Sequence, residues 1–410
     1  MPEAVIVATA RSPIGRAYKG SLKDLRADEL AARMISAALA KVPQITPDDI
    51  DDLLLGCGSP GGPQGFNMAR VVSVLLGYDQ VPGATVTRYC SSSLQTTRMA
   101  LHAIKAGEAD IVISAGTESV SNYAKGTSDR PPVDAGTAAD FGWHHPAFAE
   151  ARARGWQAGK WDDPRQAGEL PDVYVAMGRT AENVAALRGV SRAEQDEFAL
   201  RSQTLAAQAI ASGFYERDIT PVELADGTLV TADDCPRPAT SAESLAGLKP
   251  VFSEDGTVTA GNCCPLNDGA AALVIMSDTK AAELGVTPLA RVVSTGVSGL
   301  SPEIMGLGPV EASRRALALA GLTAADLDLV EINEAFAAQA VPSYRELGLD
   351  IDKVNVHGGA IALGHPFGMT GARITSTLLN GLREKDGTFG LETMCVGGGQ
   401  GMAMVIERLS

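Results

Sequence analysis

The 410-residue sequence has little of what several classes of protein require. Aromatic residues make up 5% of it, and only five residues are histidine. Its 34 lysines and arginines are outnumbered by 49 acidic residues, and the net charge of −15 repels nucleic acids and anionic membranes. No apolar run is long enough to span a bilayer, and Met1 leads into a predicted strand rather than a signal peptide. We therefore expect a cytoplasmic protein with no membrane span and no nucleic-acid partner.

Cysteine is also scarce, at positions 57, 90, 235, 263, 264 and 395. Six cysteines in 410 residues are too few for a disulfide framework, and no Cys-x-x-Cys pair suggests zinc. The remaining composition, 45% hydrophobic and 20% charged, is typical of a globular protein of two or three domains. We therefore expect a reducing compartment and no metal.

Predicted strands and helices alternate at both ends of the chain, as in a doubly wound α/β unit. In the first part the strands are at 3–9, 52–56 and 109–116, and the helices are at 27–39 and 67–76. From 119 to 250 the alternation stops, and helices are predicted at 172–187 and 191–211, the second with a capping box of Ser191 and Glu194. This stretch predicts an inserted loop (lid) domain.

A strand pattern returns at 269–276, and the order of elements in the first half then recurs. The repeat consists of strands at 290–294 and 327–332, a helix at 310–320, a strand-like 354–357 before a helix, and a closing hairpin of 388–394 and 401–407. The sequence thus predicts a duplicated α/β core. Its predicted parts are an N-terminal half of 1–118 completed by about 251–280, a loop domain of 119–250, and a C-terminal half of 281–410.

Cys90 lies where a run of alternating β-branched residues gives way to a helical pattern, and three serines follow it. Serine side chains there can cap backbone N–H groups, and the positive end of a helix dipole favours a thiolate. We therefore expect Cys90 to be a nucleophile of lowered pKa. The alternative is a buried structural cysteine, since free cysteine is among the most buried residue types.

Further polar residues lie beside glycines or at strand ends in the second half. His365 precedes a proline at a predicted helix entrance, in a glycine-rich segment that also contains His357. Cys395 ends an apolar strand just before the glycine run that includes Gly397, and Asn333 follows another strand. Glycines let the backbone approach a ligand closely, which favours a site. The alternative for His365 is a structural histidine. The alternative for the glycine run after Cys395 is a tight hairpin, and that for Asn333 is a helix cap.

Taken together these stretches resemble the thiolase family. The matching segments are 90–95, 333–336, 358–366 and 395–399, with supporting matches at 177–183, 259–262 and 267–271. They follow the family's order over nearly the whole chain. The resemblance implies a five-layer α/β/α/β/α core of two similar halves, with the inserted domain over the active site.

The resemblance also implies acyl transfer between coenzyme A thioesters, with no cofactor because coenzyme A is itself a substrate. Cys90 would be acylated and His365 would be its base. Cys395 would exchange a proton with the α-carbon of acetyl-CoA or with the CoA thiol. Asn333, through a water, and His365 would stabilise the enolate, while the N–H groups of Cys90 and Gly397 would stabilise the tetrahedral intermediate.

Six further residues match positions that contact coenzyme A or the acyl group in the family: Met177, Arg237, Ser244, Phe252, Cys264 and Met305. Three positions depart from the family pattern. Thr87 replaces the usual asparagine, Ser93 replaces glycine, and Cys264 lies where the family often has serine. We expect these departures to affect substrate preference rather than the reaction, with Cys264 a bystander thiol near the pantetheine.

Three other kinds of protein are alternatives: a decarboxylating condensing enzyme, a non-enzymatic lipid- or partner-binding subunit on the same fold, and a redox or metal protein. Cys395 argues against the first, because such enzymes use two histidines or a histidine and an asparagine beside their cysteine. The presence of Cys90, Asn333, His365 and Cys395 together argues against the non-enzymatic subunit.

The loop at 56–70 resembles the degradative branch of the family, and Ala176 lies where short-chain biosynthetic members commonly carry histidine. We therefore expect cleavage of 3-ketoacyl-CoA longer than acetoacetyl-CoA, with a biosynthetic acetoacetyl-CoA thiolase as the alternative. By the resemblance alone we also expect a homodimer or homotetramer, and a β-oxidation enzyme as a possible partner.

Overall fold

The computed structural model describes residues 1–128, 144–154 and 159–410. The strands of these residues are β1 (Ala4–Arg11), β2 (Gly15–Arg16), β3 (Asp52–Gly56), β4 (Gly83–Val86), β5 (Ile111–Ser119), β6 (Val222–Glu223), β7 (Leu229–Val230), β8 (Asn267–Ser277), β9 (Ala290–Gly299), β10 (Leu329–Ile332), β11 (Phe389–Val396) and β12 (Gln400–Arg408). Their α-helices are α1 (Ala27–Leu39), α2 (Met68–Leu75), α3 (Ser92–Ala106), α4 (Ala149–Ala153), α5 (Met177–Arg188), α6 (Arg192–Ala211), α7 (Ala242–Ala246), α8 (Asp278–Leu284), α9 (Gly308–Ala320), α10 (Ala337–Glu346), α11 (Ala360–Leu363) and α12 (Thr370–Lys385).

The core strands form two half-sheets that meet at a narrow seam. The N-terminal half-sheet has the order β4-β3-β5-β8-β1, and the C-terminal one has the order β9-β12-β11-β10. At the seam only two residue pairs join β1 to β9, Val5 with Arg291 and Ile6 with Ala290. Strands β3, β4 and β5 run parallel, as do β10 and β11, so in each half their carboxyl ends lie at one edge.

Alternation along β1 explains how the helices are layered on the sheets. Ile6 packs in a central cluster with Leu94 of α3 and Ile374 of α12, whereas Val5 packs in an outer cluster with Leu30 of α1. A third cluster covers the outer face of the C-terminal half-sheet with α9 and α10. Helices α3 and α12 pack against each other between the half-sheets. The predicted five-layer duplicated core is therefore confirmed.

Local sequence signals place several helices correctly. Helix α1 has the predicted bounds, and α6 begins after Ser191, whose side chain accepts a hydrogen bond from the Glu194 N–H in the expected capping box. The helix predicted at 172–187 begins only at Met177, because the Asp172 carboxylate accepts the Tyr174 N–H and holds a turn there.

The strand predicted at 354–357 is also absent; only one bridge, from Val330 to Val354, forms there. Asn355 has a φ of 47°, which ends the extended conformation after that bridge.

The predicted loop domain contains α5, α6 and the two-stranded β6–β7 hairpin. Its residues 129–143 and 155–158 lie outside the described residues, and its limits at 119 and 250 stay predictions. Within the described ranges we find no helix that is both long and apolar enough to cross a membrane.

Candidate active site

The residues predicted to carry the chemistry follow the ends of strands from both halves. Asn333 follows β10, Cys395 lies near the end of β11, and Gly397 lies in the β11–β12 turn. Cys90 occupies a single 3₁₀ turn between β4 and α3, and His365 lies in the loop before α12. Because α3 and α12 are packed side by side, their amino-terminal ends bring these loops to the same end of the core.

The serines after Cys90 do not act as the sequence predicts. The Ser92 hydroxyl accepts the N–H of Arg88, upstream of Cys90, and no side chain caps the start of α3. The Ser93 hydroxyl instead accepts the N–H of Ala372 at 2.9 Å, and so joins α3 to α12. The capping prediction was wrong because these hydroxyls find backbone partners outside α3. Ser93, a departure from the family pattern, fixes the contact between the two central helices.

The Cys90 thiol is protonated at rest. Desolvation raises its pKa to about 12, although the N–H groups of Gly397 and of Cys90 itself act on the sulfur in the opposite direction. The negative charge of Glu118 raises the pKa further. The lowered pKa expected from the helix terminus is therefore wrong, since desolvation outweighs those two N–H groups. Cys90 needs a base to become a nucleophile.

His365 has the protonation state that such a base requires. Its Nδ1 lies 2.6 Å from the Thr370 hydroxyl, and that hydroxyl donates to the Pro366 carbonyl at 2.8 Å. The hydroxyl must then accept from Nδ1–H, which leaves Nε2 without a proton. Asn333 Nδ2 lies 3.2 Å from Nε2 and donates to it. Desolvation and the charge of Arg373 lower the pKa of His365 to about 3, so the imidazole is neutral.

Cys395 is fully buried, and its thiol donates to Gln339 Oε1 at 3.3 Å. Burial and the nearby Cys90 sulfur raise its pKa well above the usual range of a thiol. Among the described residues, Gln339 Nε2 and Asn333 Oδ1 are buried atoms with no hydrogen-bond partner. Polar atoms of this kind, next to a thiol and an imidazole, are suited to contact a polar substrate.

Two buried carboxylates hold the loops of the site in place. Glu118, at the end of β5, accepts the N–H groups of Gly58 and Gly368 at 2.6 and 2.8 Å. It thereby joins the glycine-rich loop after β3 to the segment after His365. Glu334 accepts the Ser202 hydroxyl of α6 at 2.6 Å, which joins the loop domain to the core.

Sequence reasoning missed Thr370, Gln339 and Glu118. The sequence offers a signal only for Thr370, a hydroxyl residue five positions after His365. Of the departures noted in the sequence, Thr87 donates to the Gly58 carbonyl at 3.1 Å and so ties the Cys90 segment to the glycine-rich loop. His357 stacks on Phe214, with ring centroids 3.6 Å apart, and is a packed residue rather than part of the site.

Two of the predicted coenzyme A contacts, Met177 and Cys264, lie near residues predicted to carry the chemistry. The sulfur of Met177 would be 3.7 Å from a Cβ on Gly397, and Phe252 lies against Gly178 with its ring 6.2 Å from that of Phe336. Cys264 is near enough to Cys90 and Cys395 for the three sulfurs to interact electrostatically, and its own pKa is raised well above the usual range by burial.

The other predicted contacts are placed less directly. Met305 is buried in the same apolar cluster as Cys395, and the Arg237 charge acts on Cys263, next to Cys264. The Ser244 side chain is exposed and bonds to the Ser241 carbonyl at the start of α7, so the structure assigns it a helix-end contact.

Comparison with known proteins identifies the family. The thiolase N-terminal domain model matches residues 4–279, and the thiolase C-terminal domain model matches residues 286–408. The chain belongs to the thiolase family.

Three similar proteins illustrate the range of the family. A 3-ketoacyl-CoA thiolase of Bacillus subtilis (strain 168) is 44% identical over an alignment of 421 positions, which covers 99% of this chain and 100% of the relative. An acetyl-CoA acetyltransferase of Bacillus anthracis has a crystal structure with a TM-score of 0.85 at 40% identity, covering 100% of this chain and 99% of that one. Human mitochondrial 3-ketoacyl-CoA thiolase, in complex with CoA, has the same TM-score at 37% identity and covers 100% and 98%.

Membership in the thiolase family agrees with the resemblance carried by the four sequence segments. It also favours acyl transfer over the redox or metal protein considered as an alternative. Among the described residues no group of three or more His, Cys, Asp or Glu side chains is arranged to hold a metal ion.

Proposed function

We propose that this thiolase-family enzyme cleaves 3-ketoacyl-CoA by thiolysis, through an acyl group carried on Cys90. The observation that carries the proposal is the hydrogen-bond chain from His365 Nδ1 through Thr370 to the Pro366 carbonyl, which leaves Nε2 without a proton. The raised pKa of the Cys90 thiol and the lowered pKa of His365 agree with a protonated thiol and a neutral base. Such a pair generates a thiolate only when proton transfer accompanies attack on the substrate. Loss of thiolysis in Cys90→Ser, with an unchanged melting temperature, tests it.

In the first half-reaction His365 Nε2 takes the thiol proton while the Cys90 sulfur bonds to the 3-keto carbon. The bond between carbons 2 and 3 then breaks, and carbon 2 receives the Cys395 proton, which releases acetyl-CoA. In the second half-reaction coenzyme A gives its thiol proton to the Cys395 thiolate and attacks the acyl group. Cys90 leaves as the thiolate and recovers its proton from His365. Both thiols and the neutral imidazole of the resting enzyme are thereby restored.

The oxyanions of these steps meet different donors. The N–H groups of Cys90 and Gly397 act on the Cys90 sulfur and would donate to the oxygen of the tetrahedral intermediate. The enolate oxygen of acetyl-CoA would receive hydrogen bonds from protonated His365 and, through a water, from Asn333. The Asn333 amide already lies 3.2 Å from the imidazole, so both donors serve one position.

We infer that coenzyme A enters beside Met177 and Cys264, because Met177 lies near Gly397 and Cys264 lies near Cys90. Phe252, which packs against Gly178, would contact the pantetheine. Arg237 and Ser244 would meet the nucleotide part, and Met305 would line the acyl pocket. The enzyme would use no cofactor.

We also propose a homodimer or homotetramer, with a β-oxidation enzyme as a candidate partner. The six unpaired cysteines favour a cytoplasmic location.

For the acyl chain we propose 3-ketoacyl groups longer than four carbons, with cleavage as the working direction. Relatives of similar identity are named 3-ketoacyl-CoA thiolase and acetyl-CoA acetyltransferase, so the argument for chain length comes from the residues of this chain. Ala176 immediately precedes Met177 and presents a methyl group there. Each methylene buried in an apolar pocket gains roughly 0.8 kcal/mol. Comparing kcat/KM for four-, eight- and twelve-carbon substrates tests this; a clear preference for four carbons would favour an acetoacetyl-CoA thiolase instead.

A further inference from the structure

The seam between the two half-sheets opens into a cleft. Strand β1 pairs with β9 only at Val5 and Ile6, and beyond these residues the two sheets separate. A cavity of about 800 Å³ lies there, formed by the middle of β1, the segment just after α1, the turn after α8 and the last turns of α12. We call it the seam cleft.

The seam cleft is lined by three basic side chains, Lys41, Arg217 and Arg383, and by no acidic one. This is unexpected in a chain of net charge −15. Lys41 Nζ donates to the Thr9 carbonyl at 2.6 Å, an uncharged partner. Among the residues that the structure describes, no carboxylate lies within 4.0 Å of the Lys41 ammonium or the Arg383 guanidinium.

The carboxylates nearest the cleft do not cancel its charge. Arg217 is 3.9 Å from Glu384, and both side chains are partly exposed, so this pair contributes little. Asp218 lies buried beneath the cleft, where it accepts Arg11 Nε at 2.8 Å and the Ser376 hydroxyl at 2.6 Å. Arg11 also pairs with the Asp233 side chain at 2.5 Å, so one guanidinium serves two carboxylates, and the Asp218 charge acts on Lys41. The three basic side chains outnumber this one uncompensated carboxylate, so the cleft keeps a net positive charge.

The rest of the lining suits a ligand with an apolar part. Val42, Val286 and Leu379 contribute an apolar wall. The volume lies within the range of about 300–1,000 Å³ typical of small-molecule sites. Arginine forks bind phosphate oxygens in pairs, and lysine adds a compact charge. We propose that the seam cleft binds the nucleoside diphosphate group of a nucleotide, with the phosphates on the three basic residues and the base against the apolar wall.

This site is distinct from the catalytic one. Helix α12 begins beside the His365 loop at Thr370 and reaches the seam cleft at Arg383. Thirteen residues of α-helix span about 20 Å. A nucleotide in the cleft therefore leaves the approach to Cys90 free. Two molecules could supply this nucleoside diphosphate group. One is free ADP, and the other is a second coenzyme A molecule that binds in the seam cleft through its ADP part.

The test is calorimetric titration of the intact enzyme with ADP at low ionic strength, where charge interactions are least screened. We expect Lys41→Gln/Arg383→Gln to weaken ADP binding at the cleft at least tenfold while kcat/KM for thiolysis without ADP is unchanged. Arg237→Gln, which alters the expected nucleotide contact of the catalytic site, should retain cleft binding. Arg33→Gln is the matched control, because Arg33 lines a cleft that also contains Asp24, Glu29 and Glu223, and it should bind ADP as the wild type does.

Titration with coenzyme A distinguishes the two sources. If the wild type binds two molecules of coenzyme A per subunit and the double variant binds one, coenzyme A itself is a ligand of the cleft. If both proteins bind one molecule per subunit, free ADP is the ligand of the cleft. The proposal is overturned if ADP binding is equal in the wild type and the double variant, or is lost in Arg237→Gln alone. Neither outcome depends on thiolysis, so failure here is separable from failure of the proposed function.

Discussion

Replacing Thr370 with valine removes the hydroxyl that fixes the proton on His365 while keeping the shape of the side chain. In the wild type that hydroxyl donates to the Pro366 carbonyl and accepts from Nδ1–H of the imidazole. The variant leaves a buried N–H without an acceptor. The imidazole can then move its proton to Nε2, which would no longer accept the thiol proton of Cys90.

The size of the effect follows from that single bond. A buried polar group left unpaired costs about 1–3 kcal/mol, and each 1.4 kcal/mol or so of lost transition-state stabilisation lowers the rate about tenfold. We therefore expect kcat/KM for thiolysis to fall between about 5-fold and 150-fold, mainly through kcat. Thr370→Ser keeps the hydroxyl and should recover most of the activity. Imidazole ¹⁵N spectra should show Nδ1 protonated in the wild type and a mixture of tautomers in the valine variant.

The matched control is Thr377→Val, on the same helix. Thr377 is also buried and bonds to the Arg373 carbonyl, but it has no contact with His365. It should lose stability without the change in tautomer or the specific fall in kcat. If Thr370→Val kept kcat/KM within twofold of the wild type, with Nδ1 still protonated, the assignment of Thr370 as a positioning residue would be refuted.

Two further predictions concern the protons of the reaction. Because the pKa of His365 is lowered to about 3 and that of Cys90 is raised to about 12, the neutral pair persists between them. The log of kcat/KM for thiolysis should thus be level from pH 5 to pH 9; an acidic limb near pH 6 that tracks His365 would contradict it. Cys395→Ala should abolish carbon–carbon bond cleavage but preserve acylation of Cys90 by a simple acyl-CoA, and wild-type rates for both would make Cys395 a mere hairpin residue.

Much of the fold follows from local sequence signals. The spacing of apolar residues in α1 and the capping box of α6 are decided within a few residues, so their positions could be predicted. Residues 172–176 could not, since the Asp172 side chain competes with the helix for a backbone N–H. The missing strand at 354–357 likewise reflects the Asn355 side chain, which bonds to both backbone groups of Ile332 in place of a ladder.

The site was only partly predictable for a different reason. Cys90, His365 and Cys395 stand out because glycines and strand ends surround them, but their pKa values depend on burial that the sequence does not show. The prediction of a lowered pKa for Cys90 was wrong for this reason. Glu118 and Gln339 act across contacts between segments far apart in the chain, from β5 to the His365 loop and from α10 to β11. No local pattern marks such residues.

The acylated residue can be identified directly. The intact enzyme would be incubated with octanoyl-CoA, quenched in acid, digested and mapped by mass spectrometry. The account predicts an octanoyl group on Cys90, formed in the wild type and absent from Cys90→Ala, which should also be inactive in thiolysis. An octanoyl group found only on Cys264 or Cys395, with Cys90→Ala still active, would contradict it.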